Sequence, residues 1–174
     1  MLHSGCILTI FKTKRLQLRE ASIQDAPFIM KLVSEPAWHE NISTNSINTL
    51  EKASEYIEQK MMAMYKTFGF GLWIIEKLED STPVGICGLL QRETLPGIDI
   101  GYALLEKYWG NGYAFEATNG CLDYAKNKLN ADKVLAITKK ENLRSVNLLE
   151  KTGFKYESDF SHPGTTEKLA LYST

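Results

Sequence analysis

Apolar residues recur along this chain in two rhythms, and the switches between them divide it into strands and helices. Over 15–19, Leu16 and Leu18 alternate with polar neighbours, which predicts a strand. Ser22-Ile-Gln-Asp25 then has the form of a helix start, with Ser22 as cap and Asp25 near the positive helix end. Ile29, Met30, Leu32 and Val33 give that helix its apolar side, and it should stop before Pro36, which disfavours helical geometry at Glu35. The polar, Asn- and Ser-rich stretch 37–48 reads as a loop. Leu50, Ala53, Ile57, Met61 and Met64 fall at helical spacing and predict a second helix whose methionine-rich stripe reads as core, with the wall of a substrate cleft as the alternative.

The period then shortens. Two β-rich runs, 70–76 and 84–90, flank the turn-like Glu79-Asp80-Ser81-Thr82-Pro83 and predict a hairpin. Pro96-Gly97 turns the chain again into a strand over 98–105. A long helix follows at 112–129, with Ala114, Ala117, Cys121, Leu122, Ala125 and Leu129 on one side. A short strand at 133–138 leads to a helix at 142–152, closed by Gly153 as a left-handed cap. Strands at 154–160 and 166–172 finish the chain. The order is β-α-α-β-β-β-α-β-α-β-β. The strand-helix-strand unit at 98–138 needs a crossover and so a parallel pair. The fold class is mixed α/β: one sheet of about six to seven strands, largely antiparallel, flanked by four helices.

Composition narrows the function classes. The 174 residues are 44% hydrophobic and 24% charged, with net charge -1, ordinary for a globular chain and unfavourable for a nucleic-acid binder. No repeat or low-complexity linker divides it, so 1–174 reads as one domain. The three cysteines, Cys6, Cys87 and Cys121, are odd in number and form no CxxC pair, which argues against a disulfide framework or a cysteine zinc site. Cys87 and Cys121 read as buried thiols. His39-Glu40 begins like a zinc-protease helix, but Ser43 stands where the second His belongs, so no metal is expected. No apolar run approaches the ~20 residues of a membrane span. The apolar stretch Cys6 to Phe11 precedes Lys12, Lys14 and Arg15, the reverse of a secretory signal. A cytoplasmic enzyme without nucleic-acid or membrane partners is the expectation.

The segment that carries chemistry is Tyr108-Trp-Gly-Asn-Gly-Tyr-Ala114, which leaves a strand and opens the long helix. Two glycines permit a tight turn with exposed amides, and the helix end adds unpaired N–H groups and partial positive charge, together a pyrophosphate site. A dinucleotide fingerprint would need a third glycine at Phe115, and a Walker loop would need Gly-Lys-Ser/Thr; neither is present. A plain turn joining strand to helix stays open on this loop alone.

With its surroundings, the loop resembles the GCN5-related N-acetyltransferase (GNAT) superfamily. The signature Gln/Arg-x-x-Gly-x-Gly/Ala lies on Trp109 to Ala114, with Trp109 in the Gln/Arg position. Trp-Gly-x-Gly-Tyr-Ala followed by Glu116-Ala117 is similar to the ribosomal-protein alanine N-acetyltransferase branch. So are Thr13-Lys-Arg-Leu-Gln-Leu-Arg19, Ile100-Gly-Tyr102, Asn142-Leu-Arg-Ser145 and Leu149-Glu-Lys-Thr-Gly-Phe154. The resemblance spans about 13–172. It implies acetyl-CoA as co-substrate, an amine acceptor (a protein N-terminus or a small molecule), and a homodimer as a common assembly.

It also implies roles. Trp109, Gly110, Asn111, Gly112, Tyr113 and Ala114 form the coenzyme A loop, the backbone of Tyr102, Ala103 and Leu104 lies beside the pantetheine arm, and Asn142 bonds the cofactor or simply caps its helix. In the family, the arm enters between this strand and the one around 134–138. Direct attack by the amine needs a base, a polarised carbonyl and an acid for the departing thiolate. Ser145 is the candidate acid. Asp99, projecting opposite to Ile98 and Ile100, and His162, in the turn before the last strand, are candidate bases. Trp38, His39 and Glu40 fall in the loop that shapes the family's acceptor pocket, although Trp38 also reads as an anchor; Tyr56, Tyr65 and Phe68 read as packing. A non-catalytic acyl-CoA sensor on the same fold and a nucleotide enzyme are the competing readings.

Overall fold

A computed structural model describes residues 8–174, so Cys6 lies outside the described residues. Eight strands form one sheet: β1 (Thr9–Lys12), β2 (Leu16–Arg19), β3 (Leu72–Lys77), β4 (Pro83–Gln91), β5 (Ile98–Leu104), β6 (Leu135–Thr138), β7 (Lys155–Phe160) and β8 (Leu169–Ser173). Their spatial order is β1-β2-β3-β4-β5-β6-β8-β7. Every neighbouring pair is antiparallel except β5 with β6, which is parallel as the crossover requires. That crossover is the helix α5 (Tyr113–Lys128). The remaining helices are α1 (Ala26–Val33), α2 (Pro36–Asn41), α3 (Leu50–Tyr56), α4 (Ala63–Phe68) and α6 (Leu143–Lys151).

Two expectations change. Strand β1 extends the sheet to eight strands, because the short apolar stretch around Ile10 and Phe11 pairs with β2. The expected loop 37–48 begins with a helix, α2. Glu35 is extended (φ -70°, ψ 144°), as a residue before proline prefers, but Pro36 then occupies the first helical position, where its missing N–H costs nothing. The same proline that ends α1 starts α2.

Helices α3 and α4 are joined without a break by a wide π-turn, Ile57–Met62. Ala53, Ile57 and Met61, each four residues apart, are all fully buried. In a regular α-helix such a row drifts by about 40° per step, since four residues exceed the 3.6 of one turn. The wider turn takes up that drift and keeps the row on the core.

The sheet separates two cores. On one side α5 and α6 bring Ala117, Cys121, Ala125 and Leu149 against Trp73, Leu89 and Ile100. On the other, α1 to α4 bring Ile29, Trp38, Ile57 and Met61 against Ile74, Ile86 and Leu90. Alternation along β5 follows: Ile98, Ile100, Tyr102 and Leu104 face the first core, Ala103 the second. Cys87 and Cys121 are buried thiols with sulfurs 3.5 Å apart.

A buried ion cluster pins β2 to β3 and to the start of α1. Arg19 donates two hydrogen bonds to Asp25 (2.7 and 2.9 Å) and one from Nε to Glu76 (2.7 Å). Burial works against the Asp25 carboxylate, yet bonds from Arg19 and Ser22 outweigh it and hold its pKa below the usual 3.8. A carboxyl depressed in the fold stabilises it above the unfolded pKa, and that contribution is lost as pH falls through the folded value. Arg19→Ala should cost about 3–5 kcal/mol, because it strands two buried carboxylates. Urea unfolding at pH 7 checks this; a loss under about 1 kcal/mol would show the cluster is ornamental. The gap between wild type and variant should narrow below pH 4.

Candidate active site

After Leu104 the chain passes through one 3-10 turn, Glu106–Tyr108, into Trp109-Gly110-Asn111-Gly112 at the mouth of α5. Gly110 and Gly112 take left-handed backbone angles, φ 75° and 76°, which cost an L side chain about 1–2 kcal/mol. A Cβ on Gly110 would meet no atom within 4 Å, and one on Gly112 only Nη2 of Arg15 at 3.4 Å. Backbone conformation, not crowding, therefore demands glycine, and the space over the loop is open. The first hydrogen bond of α5 runs from Glu116 N to Gly112 O (3.0 Å). The amides of Tyr113, Ala114 and Phe115 are left without intrahelical acceptors at the positive end of the helix. The arrangement fits a diphosphate.

Two clamps hold the loop. Arg15 donates from Nη1 to Asn111 O (2.9 Å) and pairs through Nε with Glu116 (2.7 Å), with its guanidinium 4.7 Å from the centre of the Tyr113 ring. Burial would raise the Glu116 pKa, but bonds from the Thr13 hydroxyl and from the amide and side chain of Arg15 lower it overall. On the other flank, the Trp109 indole donates to Leu104 O (3.0 Å), and the Arg144 guanidinium stacks 3.6 Å from its ring centre. Asn111 turns its side chain back to Tyr108 O and Trp109 O, so it shapes the loop and does not line the opening.

The loop opens on a cavity of about 1090 Å³, which runs across the sheet to α2 and the end of β4. Strands β5 and β6 form its floor. They share a single partnered position, Asp99 with Leu135, although both run on beyond it. Tyr102, Ala103 and Leu104 line the cavity from one side of this gap, and Ala136, Ile137 and Thr138 from the other.

Ser145 lies on the first turn of α6, where Asn142 Oδ1 accepts from its amide (3.2 Å). Asn142 is thus a helix cap, and it lines the cavity as well. The Ser145 hydroxyl is 2.8 Å from the Tyr102 hydroxyl. Burial, the largest influence on Tyr102, raises its pKa far above 10 and keeps it protonated.

The two candidate bases sit differently. His162 lines the cavity with Nδ1 3.3 Å from Thr94 Oγ1; Nε2 is a free acceptor in the tautomer whose Nδ1–H donates to Thr94. Asp99 is fully buried and outside the cavity lining. Its Oδ2 is 3.1 Å from Arg92 Nε, but neither oxygen receives a well-directed hydrogen bond. Burial raises its pKa to about 7, against the pull of Arg92. Arg92 stands between Asp99 and the opening.

Trp38 is 6% exposed, packs edge-on against Tyr56 (6.4 Å) and lines the cavity. His39 and Glu40 are exposed. Tyr56 is cavity wall as well as packing; burial raises its pKa to about 12. Among the described residues no cluster of three His, Cys, Asp or Glu side chains is placed to hold a metal, and no helix is long and apolar enough to cross a membrane.

Residues 15–155 match the family profile described as acetyltransferase (GNAT) domain. The chain belongs to the GNAT acetyltransferases. It is 28% identical over 146 residues to the N-acetyltransferase p20 of Bacillus licheniformis, covering 83% of this chain and 82% of p20. It is 38% identical over 93 residues to YkkB of Bacillus subtilis; that match covers 52% of this chain and about half of YkkB, 54%. The GNAT fold is shared with RimL, a ribosomal L7/L12 alpha-N-protein acetyltransferase, at a TM-score of 0.83 and 15% identity, over 98% of this chain and 96% of RimL. A second RimL structure contains coenzyme A and superposes at a TM-score of 0.81.

Sequence reasoning named the GNAT loop and missed its clamps. Thr13, Arg15 and Glu116 stood in the quoted motifs, but a contact between residues about 100 positions apart has no local signature. The Tyr102 hydroxyl and Arg92 were also missed. Alternation placed the Tyr102 side chain on a face, without showing that α6 lays Ser145 across it.

Proposed function

We propose that this protein transfers an acetyl group from acetyl-CoA to a primary amine by direct attack within a ternary complex. The observation that carries the reading is the pair of left-handed glycines before α5, whose free amides open onto the same cavity as Ser145 and His162. The amides from Gly110 to Ala114 would hold the pyrophosphate of the carrier. The β5 backbone at Tyr102 to Leu104 would bond its amide-bearing arm in the gap left by β6, and an N–H near Tyr102 would polarise the thioester carbonyl.

His162 Nε2 takes the proton of the attacking amine, directly or through one water. The new C–N bond forms as the C–S bond breaks, and the Ser145 hydroxyl gives its proton to the departing sulfur. Tyr102, bonded to Ser145, passes it a proton and regains one from cavity water in the same relay, so neither hydroxyl is left as an anion. Asp99 is a second candidate base, acting only through a water, because its own carboxylate is sealed off. The acceptor is a protein N-terminal α-amine or a small amine.

Thermal unfolding with ligands tests the donor. Acetyl-CoA at 100 times its Kd should add about 2.7 kcal/mol of stability, while NAD and ATP leave the midpoint unchanged. Thiol release with a panel of amines tests the transfer. Acetyl-CoA binding without thiol release on any amine would replace this reading with that of an acyl-CoA sensor.

A further inference from the structure

The far end of the cavity is built to receive a negative charge. Arg92 follows the last residue of β4, and Gln91 pairs with Ile98 at the start of β5. The glycine loop follows the other end of β5, six residues away, or about 20 Å along the strand. Arg92 is therefore remote from the diphosphate cradle, at the wall made by α2 and the α3–α4 helix. Lys60 is on the same wall. It belongs to the π-turn, one turn beyond Tyr56, and such turns recur at functional sites. The wide turn keeps Ile57 and Met61 fully buried while Lys60 reaches the cavity.

The carboxylates lining the cavity are both engaged. Glu35 accepts from the Glu106 amide (2.8 Å), and Glu167 pairs with Lys139 (3.0 Å). Among the described residues, Lys60 has no ion-pair partner within 4 Å. Arg92 meets only the sealed carboxylate of Asp99, through Nε. Arg92 lines the cavity with its side chain 37% exposed. A polycation would find five lining cations, Lys60, Arg92, Lys139, Arg144 and Lys151, against Glu35 and a Glu167 already neutralised by Lys139.

We propose that the acceptor is a small amine bearing an oxyanion, a carboxylate or phosphonate a few bonds from its nitrogen, with Arg92 and Lys60 holding the acid group. The spacing follows from the strand. Asp99, which fixes Arg92, and Gly101, beside the gap that would hold the thioester, are two residues apart on one face of β5, about 7 Å. An acid group at Arg92 then places the amine near the gap only if the two are a few bonds apart. Glycine at 101 lets Leu90 and Leu72 pack close against the strand, since a Cβ there would lie 3.0 Å from Leu90 Cδ1 and 3.3 Å from Leu72 Cδ2. This inference rests on the acetyl-transfer reading, and the test separates the two.

The full chain is assayed with acetyl-CoA and matched amines: β-alanine, 2-aminoethylphosphonate, propylamine, spermidine and an uncharged tripeptide. The two acid-bearing amines should exceed propylamine at least tenfold in kcat/KM, with the difference in KM. That preference should collapse by about tenfold in both Lys60→Gln and Arg92→Gln, the loss of one charged hydrogen bond. Lys60 is exposed, so its variant folds whatever happens to the Arg92–Asp99 pair. Comparison of β-alanine with the phosphonate tells which acid is preferred. In parallel, calorimetry on the protein saturated with coenzyme A measures amine binding without turnover. β-Alanine binding that weakens in Lys60→Gln, with no acetylation of any amine, keeps the acid-binding end and removes the transfer reading. Acetylation of propylamine, spermidine or the tripeptide at least as efficiently as β-alanine overturns the acid-binding end and keeps the transfer. Absence of β-alanine binding by both methods also overturns it.

Discussion

Gly112→Trp is expected to weaken acetyl-CoA binding at least 100-fold, measured by calorimetry. Two effects act together. The residue sits at φ 76° as the N-cap of α5, so any side chain pays the left-handed penalty of about 1–2 kcal/mol. An indole there also lies over the free amides of Tyr113 and Ala114, the groups assigned to the diphosphate, and its Cβ already touches Arg15 Nη2. Strain alone must be separated from blockage. Gly69 supplies the control: it has the same left-handed conformation (φ 77°), caps α4 and has nothing within 4 Å of a built Cβ. Gly69→Ala should lose about 1 kcal/mol of stability and keep its affinity. Wild-type affinity in a folded Gly112→Trp protein would remove the diphosphate assignment.

Ser145→Ala should lower kcat by about 100-fold, in the range of one general acid, and leave the Kd for acetyl-CoA within about threefold. The hydroxyl touches Tyr102 and not the glycine loop, so its loss falls on the proton and not on the carrier's grip. Tyr102→Phe should cost about tenfold, since water can resupply Ser145 more slowly. The double variant should be no slower than Ser145→Ala, because both side chains serve one proton path. A serine that only suits the first turn of a helix would leave kcat unchanged, and that result would strip it of the acid role.

The fold was legible where one rhythm governed a segment. The alternation at Leu16 and Leu18, the apolar runs around Ile74 and Ile86, and the crossover at 98–138 all describe local geometry that the finished sheet keeps. Pro36 was half legible. Its effect on Glu35 was visible, but whether a helix resumes after it depends on Trp38 finding a buried place against Tyr56. The π-turn was hidden because four-residue spacing reads as ordinary helix until the row is long enough to drift. The glycine loop was readable because backbone angles leave a mark on residue choice. The proton path was not, since it joins Tyr102 and Ser145, 43 positions apart, through the packing of α6 on the sheet. Asp99 illustrates the limit: period two set its face correctly, but its complete enclosure depends on Arg92 and on Leu90 and Leu135 of the adjacent strands.

The lone ladder position between β5 and β6 makes the sheet two half-sheets hinged at one rung. Each half offers an unzipped margin to the other, the kind of margin that elsewhere recruits stray strands, here turned inward and out of their reach. A carrier whose arm contains two amide links can lie along that seam as a surrogate strand. Occupancy would then stitch the halves together, and amide exchange from Tyr102 to Leu104 should slow when the carrier is supplied. The protein's resistance to unfolding would rise and fall with the supply of the carrier, acetylated or not.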